Sequence, residues 1–478
     1  MSVAGTDPDA STFQAIIDEL IVRAAGTAAS FDDLLRRLPG VWPPAVRQAL
    51  TRQVDTGLLH EAIATRLEPH PSTVPPRSNG AAANNPAPAT TVTGISPPHE
   101  PGGTADHGIW LPPPHPLDYD WRFSERTVAE LLDRCVHQTR LGEAIALLGT
   151  PSVLRGALQR RLALARRFVL LDRSHATTAR LAVLAPTMVI ACDLATDPLP
   201  RQGSLTDTSA IRLVIADPPW YSRHVQAFLW VAAQLTTTDG RVLLSLPAVG
   251  TRPGVLLERA ADLAFAEQVG LELVDQQPSA LEYVSPPFER QALAAAGLGG
   301  ISPTWRRGDL VELRRTGKPT GRRPPPPEEP WWAEVDVGVA RMRFVGAIAS
   351  HLSSSQQEED APDASQPALV DPRLFGLVPG DVLATVSRRD PIRDRVRLWT
   401  GQNRVYGCAS PRLAANIAYA LAVGNDPVTV ASGCVGRLLH SAEQERVRHA
   451  AEQLSHVTNL EMRDTTLGKD NGYAPSEA

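Results

Sequence analysis

The sequence predicts a doubly wound α/β domain in the middle of the chain, flanked by a small N-terminal helical unit and a C-terminal α+β segment. Three observations carry that expectation. From about residue 143, short apolar runs of strand length alternate with stretches of helix length, the pattern of a parallel sheet covered on both faces. Four of those runs end in Gly or Asp, at the edge where open α/β sheets bind ligands. Two stretches, 68–106 and 317–330, are rich in Pro and poor in large apolar groups, and they divide the chain into parts.

The N-terminal unit spans 9–67. Phe13, Ile16, Ile17, Leu20, Ile21 and Ala24 follow helical spacing. Ser30 caps a short helix that turns Phe31, Leu34 and Leu35 inward. Pro43 or Pro44 opens a third helix with Val46, Leu50 and Val54, which Gly57 ends. Leu58–Ala62 is expected to be the strand that follows. Three helices and a hairpin in this order resemble a winged-helix domain, which implies nucleic-acid binding through the third helix. That helix offers only Arg47 and Arg52, so a homodimer or other protein contact through this unit stands equally open.

Residues 68–106 read as a flexible Pro/Ala-rich linker. The central domain, 107–316, begins with Trp110–Pro114 and the aromatic segment Tyr119–Phe123, followed by a helix capped by Ser124. Strands are expected at 143–148, 167–171, 187–192, 211–216, 241–246 and 271–274, with helices at 152–165, 224–235 and 254–269 between them. A terminal strand pair near 280–284 and 309–314 completes the sheet. Residues 317–330 form a second linker. The C-terminal segment, 331–462, opens with Val335, Val337 and Val339 alternating as in a strand and contains an acidic insertion at 353–365. Its arginines Arg388, Arg389, Arg393, Arg395, Arg397 and Arg404 interleave with Trp399, Asn403 and Tyr406, a pattern that suits either a solvated strand face or stacking on nucleic acid. Residues 463–478 are expected to be a disordered tail.

Composition narrows the classes. The net charge of −5 gives no overall polyanion-binding signature. Lys318 and Lys469 are the only lysines; arginine supplies the remaining positive charge. Cys135, Cys192, Cys408 and Cys434 are scattered without CxxC spacing, so neither a metal site nor a disulfide framework is expected. No basic stretch leads into an apolar core at the N-terminus, and no run of about 18 apolar residues occurs, so the expectation is a cytoplasmic protein with no membrane partner.

The strand ends carry the chemistry. The first run leads into Gly149-Thr150-Pro151-Ser152, where backbone can approach a ligand and a helix N-terminus favours a carboxylate. The second ends in Asp172, suited to two ribose hydroxyls, the third in Asp193, and the fourth in Asp217-Pro218-Pro219-Trp220. Pro219 disfavours the helical region for Pro218, which keeps the Pro218 carbonyl outside a helix. A carboxylate, a free carbonyl and a flat ring form a compact site for an exocyclic amino group.

This tetrapeptide resembles the (D/N/S)-P-P-(F/Y/W) signature of class I, Rossmann-like S-adenosylmethionine-dependent amino-methyltransferases of the N6-adenine type, and the order of the strand-end residues is similar to theirs. The resemblance implies S-adenosylmethionine bound by Gly149, Ser152, Asp172 and Asp193. Gly149 stands alone where that family has two or three glycines. Asp217, Pro218, Pro219 and Trp220 would then be catalytic, with Tyr221, Arg223 and His224 contacting the acceptor, adenine N6 in nucleic acid. The layout also resembles the branched-chain polyamine synthases, which transfer an aminopropyl group, although their acidic first loop has no counterpart in residues 149–152. A degenerate domain retained as a scaffold is the third reading.

Overall fold

A computed structural model describes residues 8–38, 40–69, 111–200, 211–326, 331–337, 340–346, 370–387 and 390–468. Most of the expected linker at 68–106, the acidic insertion at 353–365, Arg388, Arg389 and residues 469–478 lie outside the described residues.

The N-terminal unit is four helices: α1 (Pro8–Ala25), α2 (Phe31–Arg37), α3 (Pro43–Asp55) and α4 (Glu61–Arg66). Ser30 caps α2 through Oγ, which accepts from the Asp33 amide at 3.2 Å. The expected strand at Leu58–Ala62 is instead a turn leading into α4. His60 explains the difference, because its Nδ1 accepts from the Ala62 amide at 3.2 Å and so caps a helix start. No wing is present among the described residues. Ile17, Ile21, Leu34, Val46 and Leu50 share their core with Leu293, Leu298 and Trp305 of the central domain. Arg47, which would face DNA in a winged helix, donates to the Ala296 carbonyl at 2.8 Å, and Arg52 pairs with Asp18.

The central domain runs β1 (Arg122–Phe123), α5 (Glu125–Gln138), β2 (Ala144–Leu148), α6 (Pro151–Gln159), β3 (Arg167–Asp172), α7 (His175–Leu184), β4 (Val189–Ala191), β5 (Ile211–Ala216), α8 (Ser222–Leu235), β6 (Thr236–Pro247), α9 (Val255–Gln268), β7 (Leu271–Val284), α10 (Pro287–Ala295) and β8 (Arg307–Arg315). The sheet order is β1-β7-β8-β6-β5-β2-β3-β4. Strands β4, β3, β2, β5 and β6 are parallel, and β8 inserts antiparallel between β6 and β7. This is the doubly wound, Rossmann-like sheet. One core lies between the sheet and helices including α8, and a second between the sheet, α5 and α6.

Element boundaries differ from expectation where the backbone turns. The helix expected over 152–165 stops at Gln159, since Arg161 adopts φ 56°. The third parallel strand is shortened by a 3₁₀ turn at Pro186–Met188. The strand pieces expected at 271–274 and 280–284 are one strand, β7, with register shifts at Leu273/Asp275 and Gln277/Leu281. The second linker is pinned at Arg323, which donates to the carbonyls of Leu194 and Asp197 beyond β4.

The C-terminal segment is a five-stranded antiparallel sheet, β9 (Trp331–Val337), β10 (Ala340–Val345), β11 (Leu374–Gly376), β12 (Leu398–Thr400) and β13 (Val405–Cys408), packed against α11 (Pro411–Val423), α12 (Pro427–Val435) and α13 (Ser441–Gly468). Helix α13 continues into the expected tail, where Asp464 pairs with Arg404 at 2.6 Å. Two arginines of this cluster are engaged within the fold, Arg393 stacking on Trp399 at 4.1 Å and Arg397 donating to the carbonyls of Asp394 and Val396, while Arg395 is exposed.

Residues 111–121 tie this segment to the central domain. His115 Nε2 lies 3.0 Å from the Trp399 carbonyl. Asp118 is buried between Arg341, at 2.6 Å, and Arg343, both also held by Glu334. Burial alone would raise the Asp118 carboxyl, but the two guanidiniums hold it well below the usual carboxylate range. Arg343→Met removes one partner of a fully buried charge. It is expected to cost about 3–5 kcal/mol in urea unfolding; a loss below about 1 kcal/mol would show that the cluster does not hold the segment.

Candidate active site

At the carboxyl ends of the parallel strands, two cavities adjoin. The smaller, about 30 Å³, is lined by Gly149, Asp172, Arg173, Cys192, Asp193, His224 and Phe228. The larger, about 280 Å³, is lined by Phe13, Trp42, Trp121, Trp220, Tyr221, Tyr283, Trp305, Arg252 and Arg306. Tyr119, Asp217 and Pro219 line both. Asp217 therefore stands in the shared wall.

The ladder explains the placement. Beyond the last strand residues, the Gly149 amide donates to the Leu171 carbonyl, Cys192 to Asp172 and Asp217 to Leu148, each at 3.0 Å. These bonds set the four strand exits side by side. Gly149 has φ 64°, and a Cβ there would come within 3.1 Å of the Asp217 carbonyl and 3.2 Å of the Phe228 ring. Only glycine fits that junction without displacement. Asp172 Oδ1 accepts from the Ser174 amide at 2.8 Å; Asp193 Oδ1 accepts from the Ala195 amide at 2.9 Å, and its Oδ2 pairs with Arg173 at 3.6 Å. Burial, with Asp120 adding to it, pushes the Asp172 carboxyl up to about 7.

On the larger side, Tyr283 donates to Asp217 Oδ1 at 2.8 Å, and Ser245 links Tyr283, at 2.5 Å, to the Trp220 indole N–H, at 3.0 Å. Trp220 stands at 90° to Tyr283 with centroids 5.5 Å apart. Arg252 donates to the Trp220 carbonyl at 2.5 Å and is paired with Glu258. Arg306 lies against Trp305, Trp121 and Trp220, at 4.8, 5.3 and 5.7 Å, and is neutralised by buried Glu289. Burial pushes the Asp217 carboxyl up to about 7, against the Tyr283 and Ser245 hydroxyls, which favour its ionised form.

Of the residues expected at the site, Gly149, Asp172, Asp193, Asp217, Pro218, Pro219, Trp220 and Tyr221 line the two cavities. His224 lines the smaller cavity, not the acceptor side, because the first turn of α8 points it back towards Tyr119, 5.6 Å away. Arg223 is exposed and lines neither cavity; Ser152 is buried in the first turn of α6 and likewise lines neither. Sequence reasoning missed Trp42, Tyr119, Trp121, Ser245, Arg252, Tyr283, Trp305 and Arg306. Ser245, alone among the apolar Leu243, Leu244 and Leu246, carried a signal, since a hydroxyl in a buried strand needs a partner.

The chain is similar in fold to the branched-chain polyamine synthase of Thermus thermophilus in complex with N4-aminopropylspermidine and 5′-methylthioadenosine. The C9 mutein of that protein shows 14% identity over 67% of this chain and 95% of that one, with a TM-score of 0.45; a second structure of the synthase gives 14% and 0.40 over the same shares. The N-methyltransferase NodS from Bradyrhizobium japonicum shows 11% identity over 40% of this chain and 96% of that one, with a TM-score of 0.26. Likeness at this level establishes no shared activity. No protein-family model and no curated protein matches the chain.

The raised Asp217 value sets a sign. The ionised carboxylate destabilises the fold, a cost absent below pH 4 and complete above about pH 7. Asp217→Asn is expected to gain stability over the parent at pH 8 but not at pH 4, with a difference of at most about 4 kcal/mol in urea unfolding. An equal effect at both pH values would contradict the burial of the charge.

Proposed function

We propose that this protein is an S-adenosylmethionine-dependent methyltransferase acting on an exocyclic amino group, with adenine N6 in nucleic acid as the acceptor that the Asp-Pro-Pro-Trp resemblance favours. The observation that carries the reading is Asp217 in the wall between a cavity of strand-end carboxylates and a cavity of aromatic rings. The residues of the smaller cavity match the cofactor's chemistry: Gly149 presents bare backbone, Asp172 is a buried carboxylate suited to ribose hydroxyls, and Asp193 lies beside them; at about 30 Å³ the cavity would have to open to admit the cofactor. When bound, S-adenosylmethionine supplies an electrophilic methyl group and leaves as a neutral thioether.

The chain's own residues do the rest. Asp217 and the Pro218 carbonyl accept the acceptor's two N–H bonds, which draws the nitrogen lone pair out of the ring. Trp220 and Tyr221 offer flat faces to the base. A carboxyl near 7 accepts the proton that the nitrogen releases after transfer. Positioning and fixed hydrogen bonds supply most of the acceleration. A base in a duplex would be flipped out to enter the larger cavity.

Aminopropyl transfer to a polyamine fits less well. Asp217 is the one carboxylate lining the larger cavity among the described residues, and two arginines line it as well. A substrate with several ammonium groups would lack partners there.

The test uses labelled S-adenosylmethionine with separate DNA, RNA, nucleoside, polyamine and protein acceptors. Label is expected in the base-containing fractions. Asp217→Ala is expected to lower transfer by about 100-fold or more with cofactor binding retained. Label in polyamine alone, or wild-type transfer by the variant, would overturn the assignment.

A further inference from the structure

We propose that Tyr283 and Ser245 are positioning residues for Asp217, joined with Trp220 in a one-way hydrogen-bond chain that reserves the second carboxylate oxygen for the acceptor amine. This rests on the amino-group reading above. Neither residue belongs to the Asp-Pro-Pro-Trp segment: Ser245 comes from β6 and Tyr283 from β7.

The direction of the chain follows from donor counts. An indole N–H can only donate, so Trp220 gives its hydrogen to Ser245 Oγ at 3.0 Å. An ionised carboxylate can only accept, so Tyr283 gives its hydrogen to Asp217 Oδ1 at 2.8 Å. Tyr283 has one hydroxyl hydrogen, which is now committed. The 2.5 Å contact between Ser245 and Tyr283 must therefore be donated by Ser245. Every hydrogen runs the same way, from the Trp220 ring to Oδ1. Among the described residues, Tyr283 on Oδ1 is the one side chain in hydrogen-bonding geometry with the carboxylate, although Ser245 stands near enough to favour its ionised form as well, and Oδ2 is left for an N–H of the acceptor.

The same chain fixes the ring. With its N–H anchored on Ser245 and its plane at 90° to Tyr283, Trp220 has one orientation to offer. Gly308, on β8, makes the seat possible, since a Cβ there would come within 2.8 Å of Trp220 Cζ2 and 3.1 Å of Tyr283 Cε2. Carboxylate and ring are thus set by one network, and the two acceptor contacts keep a constant relation to each other.

The experiment compares Tyr283→Phe, Ser245→Ala and the parent. In Tyr283→Phe, kcat is expected to fall about tenfold or more, with KM for S-adenosylmethionine unchanged. Loss of a donor to the ionised carboxylate also moves the acid limb of the kcat profile to higher pH. The other charged groups around the two cavities, Asp118, Asp120, Asp172, Asp193, Arg173, Arg252 and Arg306, are the same in parent and variant. Ser245→Ala is expected to shift the limb in the same direction by less. A kcat within about twofold of the parent, with an unmoved limb, would overturn the proposal. If the parent transfers methyl to no acceptor, the functional reading fails, and the chain is read from urea unfolding instead. The pH-dependent loss of stability that Asp217→Asn removes should then extend to higher pH in Tyr283→Phe. A variant curve parallel to the parent's would overturn the chain on its own.

Discussion

The hydrogen-bond ladder of the parallel sheet continues past its strands, and the rest of the site depends on that continuation. Gly149, Cys192 and Asp217 sit where strand geometry has ended, yet their amides still donate to the neighbouring strand. Those bonds hold a tight glycine turn, a buried carboxylate and the Asp-Pro-Pro-Trp segment in fixed register. The requirement for glycine at 149 is a consequence, because the Asp217 carbonyl and the Phe228 ring already occupy the space of a side chain. The weakened acidity of Asp172 and Asp217 is another: the ladder buries both carboxyls before any ligand arrives.

The larger cavity is composite. Its walls include Phe13 and Trp42 from the N-terminal helices, Tyr119 and Trp121 from the segment before β1, and Thr385, Val386 and Ser387 from the C-terminal segment. The N-terminal unit completes its own core with Leu293, Leu298 and Trp305, and Trp42 meets Trp305 edge-on at 5.7 Å. The Asp118 cluster with Arg341 and Arg343 lies one residue before Tyr119, which adopts φ 59° between the two cavities. Buried ion pairs of this kind define a geometry more reliably than they stabilise one. The flanking units thus form the walls of the site they border.

Strands β2, β3 and β5 were readable because both of their faces are buried and their apolar runs end abruptly at a polar residue or glycine. That same contrast revealed Gly149, Asp172, Asp193 and Asp217 in order. Three kinds of feature were not readable. The wing expected after α3 gave way to His60, whose ring nitrogen caps a helix that apolar patterning alone did not suggest. Ser152 and Arg223 were inferred from proximity in sequence, yet the first turns of their helices point one into the core and the other to solvent. The aromatic wall came from segments as far apart as Phe13 and Trp305, which no local pattern brings together. Tyr283 looked like an ordinary strand tyrosine until β7 placed it on Asp217.

The central claim is that one cavity holds the cofactor and the other the acceptor, with Asp217 between them. Calorimetric titration of S-adenosylmethionine into the parent, Asp172→Ala and Trp42→Ala tests this most directly. The account predicts binding by the parent, a loss of about tenfold or more in Asp172→Ala, where a buried hydrogen-bond acceptor is removed, and parent-like affinity in Trp42→Ala. No binding by the parent, or equal losses in both variants, would contradict it.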